Sequence, residues 1–286
     1  MAEIDELFGV EKQTSIEPFS KEDWIKQKQE NRTAAYQMLE TATEELNNND
    51  SLEAYLDIQS RFDKYSVSNA LLVAYQNPEA IKLYDSATWR KHGAFINKGE
   101  RGITILEPGN HFTRSDGTEG VSYNAKKVFD ISQTNAKQKV YTPRKQDEKT
   151  LVKALVKSSP VEVELFNELP EGTNAMYQPQ NKKIYIRQGM EGQNIFRALS
   201  KEIAFAKLDN GEFNRNKLEF AASAISYIAC KRAGYEPEPL KPISQEFVQK
   251  DVKDKRKDLS EIRDNANSIS RSIAKTLDNK NRENSR

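Results

Sequence analysis

The sequence predicts an α+β protein: N-terminal helices with a small antiparallel sheet, then a mostly helical second half with a short β element and a C-terminal helical tail. Three observations carry this. Apolar residues recur at spacings of three and four over several long stretches, as in Ala35, Leu39, Ala42 and Leu46. Alternating runs bounded by Gly, Pro and Asn appear near Ile103–Leu106 and over 121–131. A polar interval without periodicity, 135–148, separates the two patterns. A chain of 286 residues is long enough for two modest domains.

Taken in order, residues 1–20 are expected to be disordered or loosely attached. The first helix spans Lys21 to Asn47, with Trp24, Ala35, Met38, Leu39, Ala42 and Leu46 on its apolar stripe. Asn47 to Asp50 reads as a turn, and Ser51 as the cap of a second helix running from Leu52 to Lys64. Ser66 or Ser68 caps a third, carrying Leu71, Leu72 and Tyr75 and stopping before Pro78. Ile103, Ile105 and Leu106 form a strand, Pro108 to Gly120 a hairpin loop, and 121–131 a second strand. Residues 21–134 thus read as one domain and 135–148 as its linker. Residues 149–240 follow with a helix over Lys149–Lys157, a strand pair at Ala175–Gln178 and Lys183–Arg187, and helices over Gln193–Leu208 and Asn216–Ala233. Residues 241–286 form a polar tail, where Ile262, Ile269, Ile273 and Leu277 give one narrow apolar stripe; an amphipathic helix packed on the body or on a partner and a plain solvated helix are the two readings it allows.

Composition excludes several classes. No run of about 18 apolar residues exists, so no transmembrane helix is expected. The acidic start lacks the apolar core of a signal peptide. The single cysteine, Cys230, permits neither an internal disulfide nor a Cys-rich metal site. These features predict a cytosolic protein without a membrane partner. The net charge of +1 is uneven: residues 1–54 carry five Lys and Arg against thirteen Asp and Glu, whereas residues 55–145 carry fourteen against nine.

That basic excess coincides with a segment where rings, cations and small polar groups interleave. It runs from Arg61-Phe62-Asp63-Lys64-Tyr65-Ser66-Val67-Ser68-Asn69 through Gln76-Asn77-Pro78-Glu79-Ala80 and Thr88-Trp89-Arg90-Lys91-His92-Gly93. It continues with Asn97-Lys98-Gly99-Glu100-Arg101-Gly102-Ile103-Thr104-Ile105-Leu106 and ends at Val128-Phe129-Asp130-Ile131-Ser132-Gln133-Thr134. Single-stranded nucleic acid asks for this mixture, because bases stack on aromatic faces and Lys or Arg neutralises the backbone. Trp89, flanked by Arg90 and Lys91, would stack a base if exposed; burial in the core is the competing reading, as it is for Tyr65 and Phe129. Lys98 and Arg101 flank two glycines in a turn whose backbone N–H groups can approach a phosphate. Asn69 and Gln133 complete the expected polar contacts. No zinc-finger spacing, basic zipper or helix-turn-helix is evident, so binding is expected to tolerate any sequence.

The same motifs, in the same order, resemble the N-terminal single-stranded-DNA-binding domain of the ArdC-like antirestriction proteins, which travel on conjugative plasmids and transposons. Such proteins often carry a zincin-like metallopeptidase domain behind it. Its HExxH helix supplies two zinc ligands and a base, and the next helix a third ligand. Here the corresponding run is Ala198-Leu199-Ser200-Lys201-Glu202-Ile203-Ala204-Phe205-Ala206. By the resemblance, Lys201 and Phe205 stand in place of the histidines and Ser223 in place of the third ligand, with Glu219 one turn earlier. Glu202, the would-be base, remains, and is expected to pair with Lys201, Lys207 or Arg197 or to face solvent. Both histidines of the chain, His92 and His111, lie in its first half. The second half is therefore expected to be a zincin-like frame with no metal, no cofactor and no catalytic residue.

The resemblance, closer still to the shorter LtrC-like forms, implies a non-enzymatic single-stranded-DNA-binding protein of a conjugative or other mobile element. It would protect transferred DNA or oppose host restriction. One alternative is a protein-interaction module on the dead metallopeptidase scaffold, holding a host or conjugation-machinery protein. Another is a residual hydrolase built on Glu202.

Overall fold

The computed structural model describes residues 20–136 and 147–283. The expectations for residues 1–19 and for most of the 135–148 interval lie outside the described residues. The α+β architecture is as expected: a helical body carrying two three-stranded sheets.

Helix α1 (Lys21–Glu44) opens on a capping box, in which the Ser20 hydroxyl accepts from Asp23 N and the Asp23 carboxylate accepts from Ser20 N. Its core face begins only at Ala35; residues 21–34 are exposed. Trp24, expected on the apolar stripe, is therefore 55% exposed, because nothing packs beneath the first turns. Helix α2 (Asn49–Arg61) is capped by Asn48, which accepts from Ser51 N; Ser51 lies inside the helix rather than before it. Helix α3 (Val67–Gln76) is capped by Ser66 and ends before Pro78, as its sequence indicates.

A short strand β1 (Leu83–Tyr84) and helix α4 (Ser86–Lys91), neither of which was expected, precede the hairpin β2 (Ile103–Thr113) and β3 (Glu119–Asp130). The antiparallel sheet has the order β1-β3-β2. Most of the expected Pro108–Gly120 loop is strand, and only residues 114–118 turn. Pro108 is tolerated because β2 is an edge strand, and a bulge between Pro108 and His111 absorbs the irregularity.

The second half runs α5 (Glu148–Ser158), β4 (Glu162–Leu165), β5 (Ala175–Gln178), β6 (Lys183–Ile186), α6 (Gly192–Leu208) and α7 (Arg215–Ala233). Its sheet is mixed: β6 pairs antiparallel with β5, as expected, and parallel with β4, whose short charged sequence hid it. Helices α8 (Gln245–Gln249) and α9 (Val252–Glu283) follow.

The amphipathic tail helix is present and begins earlier than its isoleucine stripe suggests. Leu259, Ile262, Ala266 and Ile269 of α9 are fully buried, each larger side chain contributing about 2 kcal/mol. The helix packs on α5 and α7 and also on α1 and α3. Helices α2 and α7 meet directly: Tyr227 Oη donates to Asp57, and Arg232 donates to the carbonyls of Gln59 and Ser60. Burial pushes the Arg232 guanidinium down to about 10. Buried apolar residues of both halves form one continuous cluster.

Candidate functional site

Asp85 caps α4 through Thr88 N and sets the helix across β1 and β3. This geometry sends Trp89 inward. Its ring is 2% exposed, its Nε1 donates to Phe129 O at 2.8 Å, and it meets Tyr84 edge-on at 5.0 Å. The stacking role expected of Trp89 is thus not available: the ring is core, and its one polar atom is already bonded. Arg90 and Lys91, the next two residues of the helix, are exposed.

The segment after α4 is held by hydrogen bonds to residues 133–135. Phe95 N donates to Asn135 Oδ1 and Asn135 N to Phe95 O; Asn97 N donates to Gln133 O; Ile96 bridges Thr134. Ala94 is buried, whereas Phe95 points out and is 56% exposed. Phe95 is the ring this surface offers. No sequence signal marks it, since Ala94, Phe95 and Ile96 are apolar in succession and only the fold turns the ring outward. Gly99, at φ +90°, makes the turn that carries Lys98 and Arg101 outward. Among the described residues Arg90, Lys91, Lys98 and Arg101 form no ion pair.

Three other expected contact residues are occupied structurally. Gln133 is a strut: Nε2 donates to Glu100 and to Arg101 O, and Oε1 accepts from Asp130 N. The Asn69 amide bonds both the N–H and the C=O of Leu106, pinning α3 to β2. Tyr65 is half-buried, stacked on Phe62 at 5.2 Å, and its carbonyl accepts from Arg263 of α9. Beneath the loop, the buried Asp130 carboxylate accepts from Ile81 N, Lys82 N, Ser132 N and Ser132 Oγ. Burial alone would raise its pKa; these bonds hold it below the usual value.

The second site lies between α6 and α7. Lys201 Nζ is 2.6 Å from Glu219 Oε1, and Lys241 Nζ is 2.9 Å from the same oxygen. Burial acts against the Glu219 carboxylate, but Lys201 and Lys241 hold its pKa below the ordinary value. Glu202 is buried and accepts three hydrogen bonds: Arg215 Nη1 at 3.0 Å, Arg215 Nη2 at 2.6 Å and Tyr177 N at 2.6 Å. None of its expected partners takes this place. Lys207 donates to Ser268, and Arg197 to Glu236 O. Phe205 is fully buried, with the Arg215 guanidinium 4.2 Å above its ring. Ser223 Oγ reaches Glu219 only at 3.5 Å. Arg215 escaped notice because it lies thirteen residues beyond Glu202, outside the helix that carries it.

This donor set does not fit a divalent metal. An ammonium and a phenyl ring offer no lone pair, and both nearby carboxylates are already neutralised by cations. Among the described residues, no three His, Cys, Asp or Glu side chains gather as a metal site. Elemental analysis of the purified protein is accordingly expected to find no stoichiometric zinc, and melting to be unchanged by chelators. One tight zinc per chain, lost only with unfolding, would contradict this.

No family model matches the chain, and no curated protein matches its sequence. Solved structures do resemble it. The metal-free crystal structure of the antirestriction ArdC protein from the R388 plasmid superposes with a TM-score of 0.51 at 18% identity, covering 74% of this chain and 86% of that one. The Mn(II)-bound structure gives 0.52 at 14% identity, covering 77% and 91%. The fold is therefore ArdC-like.

Proposed function

We propose that this protein binds single-stranded DNA without sequence preference and acts in antirestriction in the setting of a plasmid or other mobile element, as a non-catalytic relative in fold of ArdC. The observation that carries the reading is the rigid surface around residues 90–101. Four exposed cations that form no ion pair among the described residues share this segment with an exposed ring, Phe95, on a loop held by hydrogen bonds to residues 133–135. Unpaired cations release counterions on meeting phosphates, and an exposed ring can stack a base. The antirestriction part rests on the likeness to the plasmid protein.

The carboxylate that would serve as a base, Glu202, is held by Arg215 and Tyr177 N, which supports a non-enzymatic reading. A second reading is a protein-binding module. It is favoured by the cleft of about 290 Å³ beside Glu219, which exposes part of Phe220, Leu240 and Pro242.

The test is a titration with labelled single-stranded and duplex oligonucleotides at two salt concentrations. Tighter binding of the single strand is expected. Lys98→Ala with Arg101→Ala should weaken it about tenfold, two exposed charge contacts at under 1 kcal/mol each. The slope of log K against log salt should become shallower by about 1.4. Preference for duplex, or no binding, ends this reading. A double variant of unchanged affinity and slope ends the loop assignment.

A further inference from the structure

Helix α1 changes character along one face. The positions Lys28, Arg32, Ala35, Leu39 and Ala42 follow one another at alternating steps of four and three, the spacing of a stripe that faces the body. From Ala35 onward that stripe is buried core. Before Ala35 the same stripe carries two cations. It faces the β2–β3 hairpin across an open cleft of about 680 Å³, so Lys28 and Arg32 stand where the pattern calls for apolar contacts.

The opposing wall offers them no carboxylate. It is made by Asn110, Ser122 and Asn124 of the hairpin. The bulge at Pro108–His111 and the bare Gly109 allow this wall: a Cβ at Gly109 would lie 2.7 Å from both Asn124 Nδ2 and Ser122 Oγ. Among the described residues neither Lys28 nor Arg32 forms an ion pair.

The cleft continues past Tyr36 and Glu40 into a second hollow of about 340 Å³ that reaches Tyr123 and, from α9, Arg256. Three cations and one carboxylate, Glu40, are the charged residues along the whole track. Two tyrosines stand beside it partly exposed, Tyr36 at 37% and Tyr123 at 40%, and the Arg32 guanidinium lies over the Tyr36 ring. A cationic groove with flat rings beside it and amides along one wall matches a polyanion whose bases are free to stack. A duplex keeps its bases inside and gives those rings nothing to hold.

We propose that the groove between α1 and the β2–β3 hairpin is a track for a single strand of DNA, with Lys28, Arg32 and Arg256 on its phosphates and Tyr36 and Tyr123 on its bases. This rests on the single-strand-binding reading above and adds a site separate from the 90–101 loop. The groove explains why α1 projects more than three exposed turns: the projecting part forms one bank.

The experiment uses the full chain and labelled oligothymidylate, long enough to fill both hollows. Tyr36→Leu with Tyr123→Leu keeps apolar bulk but removes the flat faces. It is expected to weaken binding at least tenfold with an unchanged salt slope. Lys28→Ala with Arg32→Ala is expected to make that slope shallower by about 1.4. All four positions are at the surface, so melting temperatures should stay at the wild-type value and confirm folding. If the wild type binds and both folded double variants match it in affinity and slope, the groove is not the track, and the single-strand reading stands on the loop alone. If the wild type binds no single strand, that reading falls and the groove with it.

Discussion

Replacing Arg215 by methionine is expected to destabilise the protein by about 3 kcal/mol in urea denaturation. The substitution leaves the Glu202 carboxylate buried with only Tyr177 N as a partner. Breaking a buried pair from one side costs about 3–5 kcal/mol, because the remaining charge is stranded. The lower end applies here, since the Arg215 side chain is 38% exposed and water can partly take its place. Arg215→Met combined with Glu202→Gln should recover most of the loss, because the buried group is then neutral. A metallopeptidase base behaves otherwise, since its neutralisation abolishes activity while leaving the fold largely intact. If Arg215→Met alone costs less than about 1 kcal/mol, the pair does not hold this region together.

Trp89→Ala is expected to cost about 3–5 kcal/mol, the usual loss for deleting a buried aromatic ring. The bond from Nε1 to Phe129 O goes with it. Trp89→Phe should cost about 1 kcal/mol, most of it for the lost indole hydrogen bond to Phe129 O. That milder variant separates core from contact. Folded Trp89→Phe is expected to bind single-stranded DNA as the wild type does, with the same salt slope. Weakened binding by a fully folded Trp89→Phe protein would return the ring to the interface.

These two residues show where the sequence was legible and where it was not. Periodicity located α3, α6, α7 and the strands β5 and β6 from the apolar spacing each repeats, and α1 from the stripe of its second half alone. It could not locate β4, whose Glu162–Leu165 run is short and half charged, nor α4, where six residues hold less than two turns. Motif order pointed to the ArdC-like fold. Side-chain direction was not. Trp89 and Phe95 sit six residues apart in a basic stretch, and only the packing of α4 on β3 decides that one turns in and the other out. Arg215 was hidden because its pairing with Glu202 is tertiary. The α1 groove was hidden by averaging: residues 1–54 are acidic as a segment, while the helix sorts Lys28 and Arg32 onto one stripe.

Helix α9 has a consequence for how the protein is made. Its buried face closes the core against α1 and α3 as well as α5 and α7, yet it emerges from the ribosome after all of them. Until it does, the nascent chain carries an apolar trough that its own later residues must fill. At about 5–20 residues per second the wait from α3 to the end of α9 is on the order of ten to forty seconds. During that interval the growing polypeptide is a natural client for chaperones. A ribosome stalled before Leu259 would present a sticky, protease-sensitive intermediate rather than a finished N-terminal half.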